Sequence, residues 1–293
     1  MKKKLFLTGA TGKLGSVLVK FLEKEYKLIS VGFRNKPKNG YRLDLTKKDR
    51  VINFLNRIKP DIIIHLVAIT KVDFCEENFV KAHEINFVTT KNLVDWSENY
   101  KVRFIYLSTD QLYDSPKFNN EKDEKPKNFY AMTKYFSEIA ALSLKNSLVI
   151  RTNFYGYFPT HKDSLVDWFI NEIKNKKKIS LIKNIFFNPI YVKQLCKYIM
   201  ILINYKKIKG ILNLGAKNKI SKGRFLYKLA EELNLDKKNL KFTNVDKINL
   251  KAYRPKNMTM SVKRIEKIIK KPMPSIQEGI KYLVNDLKNC NEF

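Results

Sequence analysis

The sequence predicts an α/β protein with a doubly wound parallel sheet and a smaller, discontinuous α/β substrate lobe. Three observations favour this fold class. Short apolar segments alternate with segments of helical period through the first half of the chain. A glycine-rich turn, "TGATGKLG", joins the first apolar segment to the first helical one. The alternation loosens after residue 156, where the second lobe is expected to begin.

The predicted elements alternate between strand and helix, as the crossovers of a parallel sheet require. In chain order they are a strand at 4–8, a helix at 13–25, a strand at 27–33, a helix near 47–58, a strand at 61–68, a helix near 77–99, a strand at 102–108, a helix from about residue 130 and a strand at 147–152. Because these strands are almost entirely apolar, we expect helices to cover both faces of the sheet. Farther along, 189–204 is expected to be a helix and 210–215 a strand that returns to the sheet.

The first loop has the composition of a dinucleotide-binding turn. Gly9, Gly12 and Gly15 stand between an apolar strand and an amphipathic helix. Glycine permits a tight turn and close approach to a pyrophosphate, and the amino terminus of the following helix attracts anions. A plain structural turn is the alternative. The placement favours dinucleotide binding and therefore a Rossmann sheet.

These elements divide the chain into two expected domains. The Rossmann domain comprises residues 1–156 and 189–215, and a substrate-binding lobe comprises 157–188 and 216–293. No repeat or low-complexity linker in the sequence marks a boundary between them. The lobe is therefore expected to form from separated stretches.

The charge balance is strongly basic, with a formal net charge of +30. Such a surplus first suggests nucleic acid or an anionic membrane as a partner. Because the 49 lysines and 9 arginines are spread through almost every segment, we expect neither partner and favour an anionic small molecule. The longest apolar run, 198–203, is far too short to cross a bilayer. Three widely separated cysteines allow neither a disulfide framework nor a zinc spacing, which fits the cytoplasm.

The second predicted strand ends in "VGFRNKPK", which bears on cofactor choice. An NAD-selective enzyme places a carboxylate there for the ribose 2′-hydroxyl, whereas this chain has Arg34 with Lys36 nearby. A guanidinium binds a 2′-phosphate through two parallel hydrogen bonds. The sequence therefore favours NADPH over NADH, unless Arg34 is one more solvated charge.

Three tyrosines are followed four residues later by a lysine: Tyr113/Lys117, Tyr130/Lys134 and Tyr205/Lys209. With 15 tyrosines and 49 lysines, chance alone gives about 2.5 such pairs. A proline lies within the first pair, and a glycine directly follows the third. In contrast, "YAMTK" is predicted to begin a helix that follows the strand "FIYLSTD". Side chains at positions i and i+4 of a helix lie side by side. We therefore interpret only Tyr130 and Lys134 as a proton-transfer pair.

This pair suits acid–base catalysis. A free tyrosine titrates at about pH 10, and a neighbouring ammonium stabilises the phenolate and moves its pKa toward neutrality. Lys134 can also hold the ribose hydroxyls of the cofactor. Thr109 would hydrogen-bond the substrate carbonyl, with Ser108 as the adjacent alternative. A buried tyrosine beside a surface lysine is the competing interpretation.

The chain resembles the dTDP-4-dehydrorhamnose reductase family of extended short-chain dehydrogenases/reductases. The similar stretches are "TGATGKLG", "STD", "YAMTK", "RTNFYG", "NPIYV" and "YRPKNMTMSVKRIEK", and they span nearly the whole sequence. The family also includes the regulatory β subunit of methionine adenosyltransferase. The resemblance implies a Rossmann fold, an NAD(P) cofactor and a nucleotide-sugar substrate.

The resemblance also implies roles for single residues. Cofactor contacts are implied for Gly9, Thr11, Gly12, Lys13, Leu14, Gly15, Arg34, Asp44, Leu45, Ala68, Asn86, Tyr130 and Lys134. In the family, the acid at Asp44 contacts the adenine amine and the asparagine at Asn86 supports the water network of the active site. Substrate contacts are implied for Ser108, Asp110, Asn153, Phe154 and Arg254.

Three residues depart from the family pattern near the expected sugar pocket. Gln111 replaces an aromatic, Phe154 replaces a tryptophan and His65 replaces an asparagine. Gln111 also stands where a 4,6-dehydratase needs an acid, which leaves a reductase as the enzymatic interpretation. The identity of the sugar stays open.

The favoured function is NADPH-dependent reduction of the 4-keto group of a nucleotide-activated deoxy sugar, for surface polysaccharide synthesis. The alternative is a regulatory subunit that binds NADP without turnover, because "VGFR", "IHLVA" and "YRPKN" are as similar to that branch. A homodimer is one option for the assembly. No metal is expected.

Overall fold

The computed structural model describes residues 2–290, which separate into two compact units. The first unit runs to Thr109 and also takes in Pro126–Arg151 and Cys196–Leu212. The second unit is built from Asp110–Lys125, Thr152–Leu195 and the chain from Asn213 onward.

The unit boundaries differ from the expected domain boundaries in one large segment. Residues 110–125 lie in the second unit, although the sequence analysis places them in the Rossmann domain. Backbone pairing explains the difference, because Asn119 donates its N–H to Thr259 at 2.8 Å and accepts from Ser261 at 2.8 Å. Residues 152–156, 189–195 and 213–215 also belong to the second unit by their contacts. The functional assignment of the two domains stays a prediction.

Strands and helices alternate through the first half of the chain. The strands are β1 (Lys4–Thr8), β2 (Lys27–Gly32), β3 (Tyr41–Arg42), β4 (Ile62–His65), β5 (Arg103–Thr109), β6 (Ser147–Thr152), β7 (Phe154–Tyr155), β8 (Ile179–Ile182), β9 (Phe186–Phe187), β10 (Ile190–Tyr191), β11 (Gly210–Leu214), β12 (Ile220–Ser221) and β13 (Leu240–Thr243). The α-helices are α1 (Lys13–Glu25), α2 (Lys48–Ile58), α3 (Val72–Glu77), α4 (Phe79–His83), α5 (Thr89–Ser97), α6 (Phe129–Leu142), α7 (Leu165–Lys174), α8 (Val192–Asn204), α9 (Lys222–Glu232), α10 (Lys263–Ile269) and α11 (Ile276–Asn289).

Seven strands form one sheet in the order β3-β2-β1-β4-β5-β6-β11. Strand β1 pairs in parallel with β2 on one side and β4 on the other, and β4 pairs in parallel with β5. The chain therefore runs outward from β1 in both directions, and the strand order reverses between β1 and β4. Ligands of doubly wound sheets bind outside the carboxyl ends of the strands at such a reversal. The predicted fold class is confirmed.

The central strands are buried on both faces. Leu5, Phe6 and Leu7 are consecutive and fully buried, although consecutive strand residues point to opposite faces. Phe6 pairs with Ile63, which pairs with Phe104, and all three belong to one core cluster. Each such side chain stabilises the fold by about 1.5–3 kcal/mol relative to exposure. Helix crossovers on both faces of the sheet account for this burial.

Several predicted elements have different bounds in the structure. The strand expected at 61–68 ends at His65, and the helix expected at 77–99 begins at Val72 and is broken at Asn78. A π-helical turn, Glu84–Val88, then precedes α5. Such turns occur frequently at functional sites. This turn contains Asn86, whose contacts are described below.

The segment predicted as a helix at 189–204 becomes helical only from Val192. Its first part, β10, pairs in parallel with β7. The second unit also contains the pairs β9–β12 and β8–β13. In its core the rings of Tyr155 and Phe225 meet edge to face with centroids 4.7 Å apart.

No helix within residues 2–290 is long and apolar enough to cross a membrane. The same part of the chain contains no cluster of three or more His, Cys, Asp or Glu residues that could hold a metal ion. All three cysteines are unbridged, and only Cys290 is exposed.

Candidate active site

The loop after β1 is a turn that only glycine can make. Gly9 has φ +68°, a conformation that side chains disfavour, and Gly12 donates its N–H to the Gly9 carbonyl at 3.0 Å. A Cβ atom on Gly15 would lie 2.1 Å from the Gly9 oxygen, which is a severe clash. The turn therefore brings α1 close against the end of β1.

The amino terminus of α1 fits a diphosphate. Its N-cap is Gly12, and among the described residues no side chain caps it through a hydrogen bond. The first turn contains Lys13 and no acid, so nothing there opposes the positive end of the helix dipole. Leu14 is buried, which leaves only its backbone for a ligand. These features fit a dinucleotide phosphate group.

The end of β2 lies beside this turn. A Cβ atom on Gly32 would come within 3.1 Å of the Thr11 hydroxyl oxygen, so the two segments are in close contact. Arg34 follows two residues later and is exposed. The structure thus brings Arg34 to the neighbourhood of the glycine turn, where a 2′-phosphate would have to be recognised.

Asp44 and Leu45 form the turn that leads into α2. One Asp44 oxygen accepts hydrogen bonds from the Thr46 backbone at 3.0 Å and the Thr46 hydroxyl at 2.7 Å. The Leu45 side chain is buried, and its carbonyl accepts a hydrogen bond from Asn92 at 2.8 Å. The two hydrogen bonds from Thr46 therefore occupy one oxygen of the Asp44 carboxylate. Because the side chain and the carbonyl of Leu45 are engaged, its backbone N–H is the group that a ligand could contact.

Helix α6 presents Tyr130 and Lys134 on its buried face. The helix begins because the Asn128 side chain accepts the Ala131 N–H at 2.8 Å. Tyr130 is 7% exposed and packs against Cys75 and Ala82, which fixes its ring. Lys134 is 2% exposed, so the alternative of a surface lysine is excluded.

Lys134 is held by the strand it faces. Its ammonium donates to the Leu107 carbonyl at 2.7 Å and lies 4.1 Å from the centre of the Tyr106 ring. Burial lowers the pKa of Lys134 to about 7, although the negative charge of Glu138 opposes this shift. The ammonium of Lys134 therefore gains and loses its proton near neutral pH.

The carboxyl end of β5 carries two buried hydroxyls. Ser108 is 6% exposed and Thr109 is 5% exposed. The Ser108 hydroxyl has no hydrogen-bond partner among residues 2–290. An unsatisfied buried hydroxyl costs free energy, and a ligand oxygen would relieve that cost.

Asn86 fastens the loop after β4 to α6. Its side-chain oxygen accepts the Ile69 N–H at 2.7 Å, and its amide group donates to the Ile69 carbonyl at 3.3 Å and to the Thr133 hydroxyl at 2.9 Å. Both amide hydrogens are therefore engaged, and the residue is fully buried. We assign Asn86 a positioning role. Ala68, in the loop that Asn86 holds, is half-buried.

His65 ends β4 as a buried neutral side chain. The Thr89 hydroxyl donates to the Ile85 carbonyl at 2.6 Å and so accepts from His65 Nε2 at 3.3 Å. Nδ1 is then the acceptor of the Thr8 hydroxyl at 2.7 Å. Burial, and next the charge of Lys134, lower the pKa of His65 to about 3. The ring thus locks the strand ends together without adding charge.

The remaining substrate candidates lie in the second unit. Asn153 donates to Asp110 at 2.7 Å, and the half-buried ring of Phe154 packs edge to face against Phe158. Arg254 is half-buried and donates to the Ala252 carbonyl at 3.0 Å. The structure thus brings Asp110 and Asn153 into direct contact.

Lys222, in the same unit, is not among the residues that the sequence predicts. Burial lowers the pKa of Lys222, while the charge of Asp110 raises it and that of Arg254 lowers it, so the three groups lie near one another. Nothing in the sequence distinguishes Lys222 among 49 lysines. Only the fold, which starts α9 at this residue, reveals it.

The other two tyrosine–lysine pairs have different surroundings. Tyr113 is fully buried and donates to Asn213 at 2.7 Å, whereas Lys117 is exposed. Tyr205 is 47% exposed in the turn after α8. Neither pair combines a helix with a buried lysine, as Tyr130 and Lys134 do.

Residues 3–289 match the sequence model of the family described as the RmlD substrate binding domain, and the chain belongs to that family. This confirms the resemblance on which the residue roles rest. The fold has a close counterpart in the dTDP-4-dehydrorhamnose reductase of Bacillus anthracis, solved in complex with NADP. That structure has a TM-score of 0.87 and 26% sequence identity, and the match covers 98% of this chain and 100% of the other.

Two relatives represent two kinds of protein. The probable low-salt glycan biosynthesis reductase Agl14 of Haloferax volcanii is 22% identical over 286 residues, covering 94% of this chain and 95% of the relative. Methionine adenosyltransferase 2 subunit beta of Xenopus tropicalis is 26% identical over 277 residues, covering 91% and 82%. The protein is thus similar to reductases and to a subunit of an adenosyltransferase.

Proposed function

We propose that the protein is an NADPH-dependent reductase of the 4-keto group of a nucleotide-activated deoxy sugar. One observation carries the proposal. Tyr130 and Lys134 are buried together on α6, and Lys134 is bonded to β5 two residues before Thr109. Acid–base chemistry at a carbonyl needs a proton donor with a cationic neighbour at such a place.

The cofactor would be held by groups of the first unit. The glycine turn and the amino terminus of α1 would bind its diphosphate, and Arg34 would bind the 2′-phosphate. Asp44 would meet the adenine amine through its second oxygen. When bound, the reduced nicotinamide supplies the hydride that reaches the carbonyl carbon. The similarity to a reductase solved with NADP supports this choice of cofactor.

Tyr130 would donate the proton that the reduced carbonyl oxygen takes up. The cationic form of Lys134 stabilises the phenolate left behind, and an anionic dinucleotide nearby would favour that form. Thr109 would hold the carbonyl oxygen through a hydrogen bond, with Ser108 able to serve the same oxygen. Each group thus stabilises charge that develops during reduction.

The second unit would bind the substrate. Arg254 and Lys222 are two cationic groups that suit a diphosphate, and Asp110 with Asn153 suits sugar hydroxyls. The product would serve surface polysaccharide synthesis in the cytoplasm. The similarity to a glycan biosynthesis reductase supports this destination.

A second candidate function is a regulatory subunit that binds NADP without turnover. The observation that favours it is the 26% identity to the methionine adenosyltransferase subunit, which equals that to the reductase structure. An intact set of Thr109, Tyr130 and Lys134 is compatible with both functions.

An activity assay separates the two. Purified protein is mixed with NADPH and dTDP-4-dehydrorhamnose, and NADPH absorbance is followed. If the protein is a reductase, NADPH oxidation should require the nucleotide sugar, and its rate should saturate as the sugar concentration rises. Binding of NADPH without sugar-dependent oxidation, across several 4-keto nucleotide sugars, would favour the regulatory subunit instead.

A further inference from the structure

A polar cavity lies at the amino ends of the strands of the first unit. Asp61 and Arg103 stand at or next to the starts of β4 and β5, and Asn146 directly precedes β6. Parallel strands begin at the same edge of a sheet, so these residues meet there. They line a cavity of about 140 Å³ together with three lysines, Lys3, Lys101 and Lys206.

Arg103 is the buried charge of this cavity. It is 3% exposed and donates to the Asn146 side chain at 3.3 Å and to the Ile208 carbonyl at 2.6 Å. Its Nε–H has no hydrogen-bond partner among residues 2–290. Both of these acceptors, on Asn146 and Ile208, are neutral oxygens, and burial lowers the pKa of Arg103 with no carboxylate among the causes. Buried charges are normally paired, because an unpaired one costs several kcal/mol.

Three lysines add to the positive charge at the mouth of the cavity. Lys3, Lys101 and Lys206 are exposed at its rim. Hydrogen bonding with Lys206, and next the charge of Lys206, lower the pKa of Lys3, which shows that the two amines lie close together. Two ammonium groups that lie close together repel each other, and an anion bound between the lysines would offset this repulsion.

The acidic residue of the cavity does not neutralise it. Asp61 accepts the backbone N–H of Lys4 at 2.8 Å, and its backbone accepts from Arg103 at 3.0 Å. One carboxylate therefore stands against four cationic groups. The cavity carries a surplus of positive charge and an unsatisfied N–H donor.

We propose that this cavity binds a small phosphate-class oxyanion, either inorganic phosphate or the phosphate group of a small monoester. The buried Arg103 supplies its unpaired Nε–H donor, and the three exposed lysines supply positive charge. The volume equals that of about five water molecules in the liquid, which suits the five heavy atoms of a phosphate.

The site is separate from the candidate active site. Arg103 begins the seven-residue strand β5 and Thr109 ends it, so they lie about 20 Å apart at 3.3 Å per residue. The proposed cofactor and substrate groups belong to the carboxyl ends of the strands or to the second unit. Failure of either proposal therefore leaves the other standing.

The test follows the Nε–H signal of Arg103 by NMR in protein labelled with ¹⁵N-arginine. Inorganic phosphate, and separately glycerol 3-phosphate, are titrated at constant ionic strength. A saturable shift of the Arg103 signal with a millimolar or tighter Kd is expected for at least one of them. Because the signal reports this cavity, phosphate bound near Arg34 does not interfere.

Two charge-matched double variants decide whether the cavity is specific. Lys101→Ala/Lys206→Ala should weaken the Arg103 response about tenfold. Lys20→Ala/Lys197→Ala removes two exposed lysines elsewhere in the same unit and should change it less than about twofold. An Arg103 signal that never saturates, or equal losses in the two variants, would overturn the proposal.

Discussion

The neighbours of Lys134 determine both its burial and its pKa. Its surroundings exclude water, so the neutral form is favoured, yet the Leu107 carbonyl and the Tyr106 ring stabilise the ammonium. Burial lowers the pKa of Lys134 to about 7, although the negative charge of Glu138 opposes this shift. A lysine that titrates in this range can change the charge beside Tyr130 during a reaction cycle.

Replacing Tyr130 by phenylalanine should remove the proton donor and leave the fold intact, because only a hydroxyl is lost. Turnover should fall by about 10²- to 10⁴-fold, the usual contribution of a general acid. The dissociation constant of NADPH should change little. NADPH oxidation and a fluorescence titration of NADPH measure the two quantities.

Tyr113→Phe and Tyr205→Phe are the matched controls. Their lysine spacing arises by chance, and Tyr113 uses its hydroxyl for Asn213. Neither variant should change turnover more than a few fold. A loss at Tyr113 comparable with that at Tyr130 would show that the wrong pair was chosen.

Arg34→Ala should weaken NADPH binding by about 1.5–3 kcal/mol, or roughly 10- to 150-fold, because a charge-assisted hydrogen bond to the 2′-phosphate is lost. NADH lacks that phosphate, so its affinity should stay nearly unchanged. Isothermal titration with both cofactors measures the difference. Since Lys36 lies nearby and could compensate, Arg34→Ala/Lys36→Ala is the sharper variant.

If the Arg34 variants lost equal affinity for NADPH and for NADH, this would contradict a role of Arg34 in binding the 2′-phosphate. Arg34 would then support the loop or the adenine, and the preference for NADPH would lose its basis in this side chain.

At the scale of elements, α6 is fixed to the sheet by a buried ion pair. The Arg151 guanidinium on β6 donates to the Glu138 carboxylate at 2.9 and 2.6 Å, and both side chains are fully buried. Glu138 lies one helical turn from Lys134 and acts on its charge. The pair therefore sets both the position and the electrostatics of the candidate catalytic helix.

Glu138→Gln should lower the free energy of unfolding by about 3–5 kcal/mol, because it leaves the Arg151 charge buried and unpaired. Urea unfolding at neutral pH measures this loss. Glu138→Gln/Arg151→Met removes the stranded charge and should recover much of it. A double variant no more stable than the single one would contradict the explanation.

Asp95→Asn is the surface control. Asp95 pairs with Lys48 at 2.8 Å, where the Lys48 side chain is 56% exposed. Exposed pairs of this kind contribute about 0–1 kcal/mol. A loss similar to that at Glu138 would mean that burial is not what makes the Arg151 pair important.

At the scale of the whole molecule, stability should depend on pH through His65. The pKa of His65 is about 3 in the folded protein and about 6.5 in an unfolded chain, so the unfolded state binds the extra proton between these values. Stability is therefore retained above about pH 6.5 and lost as pH falls. Between pH 7 and pH 5 the loss should be about 2 kcal/mol.

His65→Asn tests this dependence without adding a titrating group. Urea unfolding of both proteins at the two pH values gives the difference, and the other titrating groups largely cancel. The variant should lose about 2 kcal/mol less than the wild type over this range. Parallel pH profiles would contradict the burial of a neutral ring.

The fold could be predicted because its signals are local. Apolar runs, helical period and the glycine turn each lie within a few residues, and the seven-stranded sheet follows from their order. Bounds that depend on distant partners could not be predicted. Directly after β4 the Leu66 N–H donates to the Thr8 hydroxyl at 3.2 Å, and residues 110–125 join the second unit through Thr259.

Some features of the candidate site are also local in the sequence, and others depend on residues that are distant along the chain. The spacing of Tyr130 and Lys134 is visible in the sequence because a helix brings positions four apart together. The burial of Lys134 and its bond to Leu107 are tertiary and become visible only in the structure. Lys222 gave no signal because it is one of 49 lysines, and nothing in the sequence around Arg103 indicates that this residue is buried.

Isotope transfer tests the proposed reduction directly. The protein is incubated with dTDP-4-dehydrorhamnose and NADPH carrying deuterium at both C4 positions, and the sugar product is analysed by mass spectrometry and NMR. We expect one deuterium at C4 of the sugar in the wild type and a product yield reduced about 10²-fold or more in Tyr130→Phe. A nucleotide sugar recovered unreduced, from protein shown to bind both NADPH and the sugar, would contradict the assignment as a reductase.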